Sequence, residues 1–307
     1  VVVLEILKHP DKHAQPIGRI AEVLGNYADP GMEIEIALRK HDLPHEFSLA
    51  ARKQAGKLPA TVTDRDRAGR VDITALPLVT IDGETAKDFD DAVYCERKGK
   101  GFRLIVAIAD VSHYVKDGDP LDRDARERGT SVYFPRRVIP MLPEALSNEL
   151  CSLKPAVDRL CMVCDMEVSA EGAIRKHRFY PAVMHSRARL TYTQVWNWLA
   201  DPKSVAREAK ELLPRLADLY ALFHALKRAR EARGAIDFDS VEMQLEFDVQ
   251  GKIVRIVPVV RNDAHKLIEE CMLAANVCTA EYLAGHKHPV LYRVHEGPTP
   301  EKLQALR

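Results

Sequence analysis

The sequence lacks the usual signs of a membrane or secreted protein. No apolar run approaches the roughly 18 residues that a membrane-spanning helix needs. The N-terminal stretch VVVLEILKHPDKH has no basic segment followed by a long apolar one, so no signal peptide is expected. The chain begins with Val1 rather than Met, from which we expect a processed or cut chain. These absences predict a cytoplasmic protein with no membrane partner.

Net charge and low-complexity sequence are also lacking. The 45 basic and 45 acidic residues cancel, which argues against a polybasic nucleic-acid binder but leaves room for a locally basic groove. With 46% apolar and 29% charged residues, the composition is that of an ordinary globular protein. The length of 307 residues allows one to three domains.

Cysteine is scarce and scattered. The six cysteines lie in apolar stretches, which predicts reduced, buried thiols in a cytosolic protein. Cys161 and Cys164 form a CxxC inside the strand-like stretch LCMVCDMEV, but one such pair cannot complete a four-ligand zinc site. We therefore expect this pair to be structural rather than metal-binding or redox-active.

The first 40 residues differ from the rest of the chain. VVVLEIL, IGRIAEVL and MEIEIAL are predicted as short strands, separated by the turn-forming stretches HPDKHAQP and GNYADPG. This pattern is typical of part of a small barrel or sandwich. The polar residues 41–72, with a short helix predicted near 47–57, indicate a connector and a domain boundary.

The remaining residues mix strands and helices. Strands are predicted at 76–81, 91–97, 102–110, 160–168, 174–184, 234–247 and 251–260. Helices are predicted at LDRDARER before Gly129, at 204–233, and at 263–283 with Asn262 as N-cap and Gly285 as stop signal. The fold class is therefore α+β or mixed α/β, preceded by a small β module.

The stretch IDGETAKDFDDA places Asp82, Asp88, Asp90 and Asp91 directly after an apolar run. Neighbouring carboxylates raise each other's pKa and repel unless a cation lies between them. The usual cation for an all-oxygen site is Mg²⁺ or Mn²⁺, and two such ions catalyse phosphoryl transfer. A solvated acidic loop is the simpler alternative. The spacing fits neither an aspartate-nucleophile phosphatase, which needs Thr or Val after Asp-x-Asp, nor an EF-hand.

Longer segments resemble the catalytic domain of the ribonuclease II / ribonuclease R family. They are LPLVTIDGETAKDFDDAVYCE, VAIADVSHYV, LDRDARERGTSVYFPRRVIPMLPEALSNELCSL, ARLTYTQV and RNDAHKLIEECMLAANV. GTSVYFP and NDAHKLIEECM are closer to the ribonuclease R branch. The resemblance implies a partial cold-shock-type OB domain at 1–45, a connector at 46–72 and an RNB catalytic domain at 73–307. It also implies a monomeric, processive 3′→5′ exoribonuclease that acts on single-stranded RNA 3′ ends and releases nucleoside 5′-monophosphates.

The resemblance also implies roles for single residues. Asp82, Asp88, Asp90 and Asp91 match the family's catalytic, Mg²⁺-holding aspartates, and Asp90 matches the one expected to be most critical. Tyr133 matches the tyrosine that stacks on the 3′-terminal base, as an aromatic ring can do with any base.

Three further residues match the segments that clamp terminal nucleotides. They are Tyr192, Glu269 and Glu270. A helix carboxylate there could accept a hydrogen bond from a ribose 2′-hydroxyl, which helps to separate RNA from DNA. An ordinary surface acid paired with Lys266 or His265 is the alternative for Glu269.

Some family features are missing from the sequence. The resemblance implies a later motif, roughly Ser-Pro-Ile-Arg-Arg-Tyr, whose arginine stabilises charge on the scissile phosphate. That motif is absent, as are a first OB domain, a C-terminal RNA-binding OB domain and a basic tail. If these 307 residues are the whole polypeptide, we predict little or no exonuclease activity. This absence leaves an RNA-binding, catalytically incomplete fragment open as an alternative, and another metal-dependent phosphohydrolase is a further alternative.

Overall fold

The structure is a computed structural model that describes residues 1–235, 242–294 and 296–306. The strands are β1 (Val2–Lys8), β2 (Ile17–Val23), β3 (Val71–Asp72), β4 (Val79–Asp82), β5 (Asp91–Lys98), β6 (Gly101–Ala109), β7 (Val132–Phe134), β8 (Arg137–Ile139), β9 (Asp158–Val168), β10 (Ile174–His185), β11 (Ala188–Thr191), β12 (Met243–Phe247) and β13 (Ile253–Pro258). The helices are α1 (Met32–Lys40), α2 (Leu49–Ala55), α3 (Asp64–Arg67), α4 (Val111–Tyr114), α5 (Pro120–Arg128), α6 (Tyr192–Ala200), α7 (Leu213–Ala232), α8 (Asp263–Gly285) and α9 (Pro300–Leu306).

A seven-stranded mixed sheet is the centre of the molecule. Its strand order is β11-β4-β5-β6-β9-β10-β3. The two outer pairs, β11–β4 and β10–β3, are parallel, and the pairs between them are antiparallel. Lys98 pairs with Gly101, so Gly99 and Lys100 alone connect β5 to β6, and Gly99 has a φ of +59° that suits glycine in such a tight turn. The predicted mixed α/β class is confirmed.

Apolar layers cover both faces of this sheet. Val93 and Cys95 of β5 point to one face, where they pack with α6, α7 and α8. Ala92 and Tyr94 point to the other face, where they pack with α2, α5 and the segment 142–153. Because both faces are buried, the central strands read as nearly continuous apolar runs in the sequence. The sheet is therefore the middle of three layers, and its strand ends are fixed in place.

Most predicted elements of the RNB-like part are present. Asn262 caps α8, its side chain accepting the Ala264 N–H, and Gly129 follows α5 as expected. The predicted helix at 204–233 begins later, at Leu213, because two 3₁₀ turns at 202–204 and 207–212 come first. Of the strand predicted at 234–247, residues 236–241 lie outside the described residues, and the later part forms β12.

The strand predicted for MEIEIAL is wrong, because these residues begin α1. Alternating Ile and Glu satisfies a strand pattern, but Ile34 and Leu38 also lie on one helical face, and both are buried. Glu35 pairs with Arg39 one turn later, and the acids precede the bases along the helix, as the helix dipole favours. In the described part of residues 1–48 the other elements are the hairpin strands β1 and β2, without a closed barrel.

All six cysteines are buried and unpaired by disulfides, as predicted. Cys161 lies on the α5 side of the sheet and Cys164 on the α8 side. The two residues are three positions apart in β9, and side chains an odd number of positions apart in a strand face opposite sides of the sheet. The two thiols therefore cannot bind one ion. In the part of the chain that the structure describes, we find no helix long and apolar enough to cross a membrane.

A buried carboxylate joins three central strands. Asp165 of β9 is only 6% exposed. It accepts hydrogen bonds from Arg103 of β6 at 3.0 and 2.9 Å and from Arg178 of β10 at 3.1 and 2.7 Å. Burial alone would raise the pKa of Asp165, but the hydrogen bonds from Arg103 and Arg178 outweigh burial and hold it below its usual value.

We expect Asp165→Asn to lower the free energy of unfolding by about 2 kcal/mol at pH 7, because it removes the buried carboxylate that Arg103 and Arg178 share and leaves Arg103 with Glu96 as its anionic partner. A lowered pKa adds stability above the unfolded-state value of about 3.9, and this contribution is lost as pH falls through the folded-state pKa. The difference from wild type should therefore shrink below about pH 4. Urea unfolding at several pH values measures it, with the exposed Asp117→Asn as control. An Asp165→Asn protein as stable as this control would contradict the prediction.

Candidate active site

The four aspartates lie at one end of the central sheet. Asp82 is the last residue of β4 and Asp91 is the first residue of β5, and β4 and β5 are antiparallel neighbours. Residues 83–90, called the acidic loop below, connect them and carry Asp88 and Asp90. Thr191, the last residue of β11, pairs with Asp82 in parallel register. The ends of two parallel strands and one hairpin connection therefore meet at the cluster.

Electrostatic coupling shows that these carboxyl groups are neighbours. Burial, followed by the charges of Asp82 and Asp90, raises the pKa of Asp91 to about 7. Asp90 keeps part of its surface open to solvent, yet desolvation by the surrounding protein, then Asp88 and Asp82, raises its pKa to about 6. Burial also raises the pKa of Asp82, against a hydrogen bond from the Gly83 N–H at 2.7 Å. This end of the sheet therefore holds more negative charge than its surroundings neutralise.

The donor set fits a hard divalent cation. Carboxylate oxygens are the ligands that Mg²⁺ and Mn²⁺ prefer, and a cation among them would offset both the burial and the repulsion that raise the pKa values. Within the described ranges, no three His, Cys, Asp or Glu side chains are already gathered around one ion position. The aspartates are thus near enough to repel one another but not closed around a common point.

Tyr133 lies next to this cluster. It belongs to β7, in the small hairpin that β7 forms with β8, and the residue is 66% exposed. Its hydroxyl donates a hydrogen bond to Asp88 Oδ2 at 3.0 Å. Desolvation, then the hydrogen bond to Asp88 and the charge of this carboxylate, raises the pKa of Tyr133. An open aromatic ring therefore borders the carboxylates.

Tyr192 borders them from another direction. It follows Thr191 as the first residue of α6, and the Thr191 side chain caps this helix through the Gln194 N–H at 3.1 Å. The half-buried Tyr192 ring stacks on His265 of α8, with ring centroids 4.0 Å apart. Burial, then the charges of Asp82 and Asp91, raises the pKa of Tyr192.

Glu269 and Glu270 of α8 are held by arginines. Glu270 is 5% exposed, and Arg230 Nε of α7 lies 2.7 Å from its Oε1. Glu269 is more open and accepts a hydrogen bond from Arg261 at 2.8 Å. The next residue is Cys271, whose pKa is raised by burial, Cys95 and then Asp91. This turn of α8 therefore lies near the aspartates, and a substrate contact by either glutamate stays a prediction.

Sequence reasoning missed two side chains that hold the acidic loop. Ser152 is fully buried and hydrogen bonds to the main chain of the loop at residues 87 and 89. Arg189 donates hydrogen bonds to the carbonyls of Gly83 and Glu84. A serine inside the apolar stretch NELCSL carries no sequence signal for such a role, because its partners lie more than 60 residues away.

Comparisons with known proteins agree with this fold. The family model described as RNB domain matches residues 70–307, and the Cold shock domain matches residues 1–48. The chain is 51% identical over 308 residues to Ribonuclease R of Escherichia coli (strain K12), covering all of this chain and 38% of that protein. It therefore spans well under half the length of this relative.

Two solved structures give the same result. Mycoplasma genitalium RNase R in complex with ribose methylated single-stranded RNA superimposes with a TM-score of 0.94 at 34% identity, covering 99% of this chain and 47% of that one. The same RNase R in complex with double-stranded RNA gives a TM-score of 0.93 at 34% identity, covering 99% of this chain and 54% of that one. Since the RNB domain model matches well over half of the sequence, this chain belongs to the RNB domain family.

Proposed function

We propose that this chain carries the catalytic centre of a hydrolytic 3′→5′ exoribonuclease, which degrades RNA processively to nucleoside 5′-monophosphates. The observation that carries the proposal is the set of mutually repelling carboxylates at one end of the sheet, bordered by the exposed ring of Tyr133. The ribonuclease R relatives support the reaction type.

Asp82, Asp88, Asp90 and Asp91 would hold Mg²⁺, or Mn²⁺ in its place. When bound, such ions activate a water and stabilise the charge that develops on the scissile phosphate. The protein supplies the negative charge that selects a divalent cation and the rigid strand ends that carry it. In the absence of a cation, Asp91 and to a lesser extent Asp90 are partly protonated near neutral pH, because their pKa values lie at about 7 and about 6.

The proposed substrate is the 3′ end of single-stranded RNA. Tyr133 would stack on the terminal base whatever its identity, so degradation would not depend on sequence. Tyr192 would contact a terminal nucleotide, and Glu269 or Glu270 would accept a hydrogen bond from a ribose 2′-hydroxyl. The RNA complexes of Mycoplasma genitalium RNase R support an RNA substrate for this chain.

RNA binding without hydrolysis is a second candidate function for these 307 residues acting alone. The observation that favours it is the exposed ring of Tyr133, which can stack on a base whether or not the carboxylates act on the RNA. The two candidates differ in one result, namely whether bound RNA is shortened.

We expect Asp90→Asn to reduce the rate of Mg²⁺-dependent shortening of a 5′-labelled oligoribonucleotide by at least about 10²–10³-fold. The substitution removes one of the carboxylates proposed to hold the ions. RNA affinity should remain. Gel analysis of the labelled products measures the rate and the end from which RNA is lost. Asp117→Asn, an equivalent change at an exposed position, serves as control. Wild-type protein that binds RNA and leaves it intact would favour the second candidate, and an active Asp90→Asn would exclude the proposed role of Asp90.

We expect Mg²⁺ to stabilise the protein more at about pH 8 than at about pH 5.5. The pKa values of about 6 and 7 for Asp90 and Asp91 exceed the unfolded value of about 3.9. Stability from these two groups is therefore full below about pH 4 and is lost as pH rises through their folded pKa values. At high pH, Mg²⁺ offsets this loss of stability. At low pH, Mg²⁺ must displace protons from the carboxyl groups, and its affinity falls by up to about tenfold for each displaced proton and each pH unit below the pKa.

Thermal unfolding with Mg²⁺ or EDTA at both pH values measures this difference. Asp91→Asn should lose most of the pH dependence of the Mg²⁺ effect, whereas Asp117→Asn should keep it. Equal stabilisation of the wild type at both pH values would contradict the coupling between protons and metal.

We expect Tyr133→Ala to weaken binding of a single-stranded RNA 3′ end by about 1–3 kcal/mol, because it removes the stacking surface. Tyr133→Phe keeps the ring and loses the hydroxyl that hydrogen bonds to Asp88, so its RNA affinity should stay close to that of wild type. Fluorescence anisotropy in an Asp90→Asn background measures binding without hydrolysis. Equal losses in Tyr133→Phe and Tyr133→Ala would show that the hydroxyl, not the ring, matters for binding.

A further inference from the structure

The acidic loop is held in shape from outside. At its second half, the Ser152 hydroxyl donates to the Lys87 carbonyl at 2.8 Å and accepts the Phe89 N–H at 3.0 Å. The Leu153 N–H donates to the Phe89 carbonyl at 2.8 Å. These three hydrogen bonds fix the main chain on both sides of Asp88 and immediately before Asp90.

The first half of the loop is held by another element. Arg189 Nη2 of β11 donates to the carbonyls of Gly83 and Glu84 at 2.8 and 2.6 Å. The Thr193 hydroxyl of α6 donates to Glu84 Oε1 at 2.6 Å. The loop is therefore attached at both halves to parts of the chain that are distant in sequence.

Ser152 is itself well fixed. It is 0% exposed, and its carbonyl accepts a hydrogen bond at 2.9 Å from Nε of Arg159, which is 4% exposed. Phe89, between the two hydrogen-bonded positions of the loop, packs into the apolar layer on the α5 side of the sheet. A hydroxyl group can donate and accept at the same time, so Ser152 bridges a carbonyl and an N–H that no apolar side chain of similar size could bridge.

We propose that Ser152 is a positioning residue for divalent metal binding by the aspartate cluster. It sets where Asp88 and Asp90 stand by holding the main chain at Lys87 and Phe89, and it contacts neither metal nor RNA. This proposal rests on the proposed function, because it assumes that the cluster binds a metal. The repulsion among the carboxylates tends to spread the loop, and the hydrogen bonds to Ser152 oppose that spreading.

The proposal is tested by measuring Mn²⁺ binding to the full protein by electron paramagnetic resonance, in the absence of RNA. Ser152→Ala should weaken Mn²⁺ affinity by about 10–100-fold, the range typical of outer partners of metal ligands. Ser186→Ala is the matched control, because Ser186 is 1% exposed and its hydroxyl donates only to the Ala188 carbonyl at 3.2 Å among the contacts described. Ser186→Ala should bind Mn²⁺ like the wild type, even if both variants unfold at a lower temperature in EDTA.

Unchanged Mn²⁺ affinity in a folded Ser152→Ala would overturn the proposal and leave Ser152 with a purely structural role. If Ser152→Ala does not fold, Ser152→Cys supplies the second test. A cysteine fills a similar volume but forms weaker hydrogen bonds, so its Mn²⁺ affinity should lie below that of the wild type. Wild-type Mn²⁺ affinity in Ser152→Cys would overturn the proposal. Failure of the proposed function gives a different result. In that case the wild type and Asp90→Asn bind Mn²⁺ equally, because the aspartate cluster holds no ion. This result does not depend on the behaviour of Ser152→Ala.

Discussion

Repulsion among carboxylates is the constraint on which the rest of this structure depends. Two like charges about 4 Å apart in a partly buried site repel by about 4 kcal/mol at an effective dielectric constant of about 20. A flexible chain would relieve this by moving the groups apart. Here Asp82 and Asp91 end and begin strands of a sheet that is packed on both faces, so they cannot move apart without breaking strand pairing. Burial of the two groups, and after it the charge of the neighbouring aspartates, raises the pKa values of Asp82 and Asp91.

The layers around the sheet supply the rigidity. On one side α7 and α8 pack on the strands, and the ion pair between Arg230 and Glu270 joins these two helices near the cluster. On the other side the segment that contains Ser152 lies against the acidic loop. The loop itself carries few apolar side chains and depends on hydrogen bonds from these neighbours. Strand pairing thus holds the two outer aspartates, while hydrogen bonds from distant residues hold the two within the loop.

The aromatic residues around the cluster are held differently. Tyr133 lies on a short hairpin with an open ring, whereas Tyr192 is half-buried and stacked on His265. The open ring of Tyr133 can receive a flat partner on its face, whereas Tyr192 already has one face occupied by His265. The two tyrosines therefore offer different chemistry to a ligand, although both lie beside the same carboxylates.

Local sequence patterns predict the central strands, the capped helix α8, the burial of the cysteines and the grouping of four aspartates after an apolar run. These features follow from local patterns, in which apolar runs, caps and turn residues act over a few positions. Local patterns failed at α1, where alternating Ile and Glu suits a strand or a helix and only packing of Ile34 and Leu38 decides. Tertiary packing, in contrast, determines that two glutamates of α8 pair with arginines and that Ser152 and Arg189 hold the acidic loop. Such contacts join residues far apart in sequence, and the sequence pattern around a single serine or arginine does not indicate its distant partner.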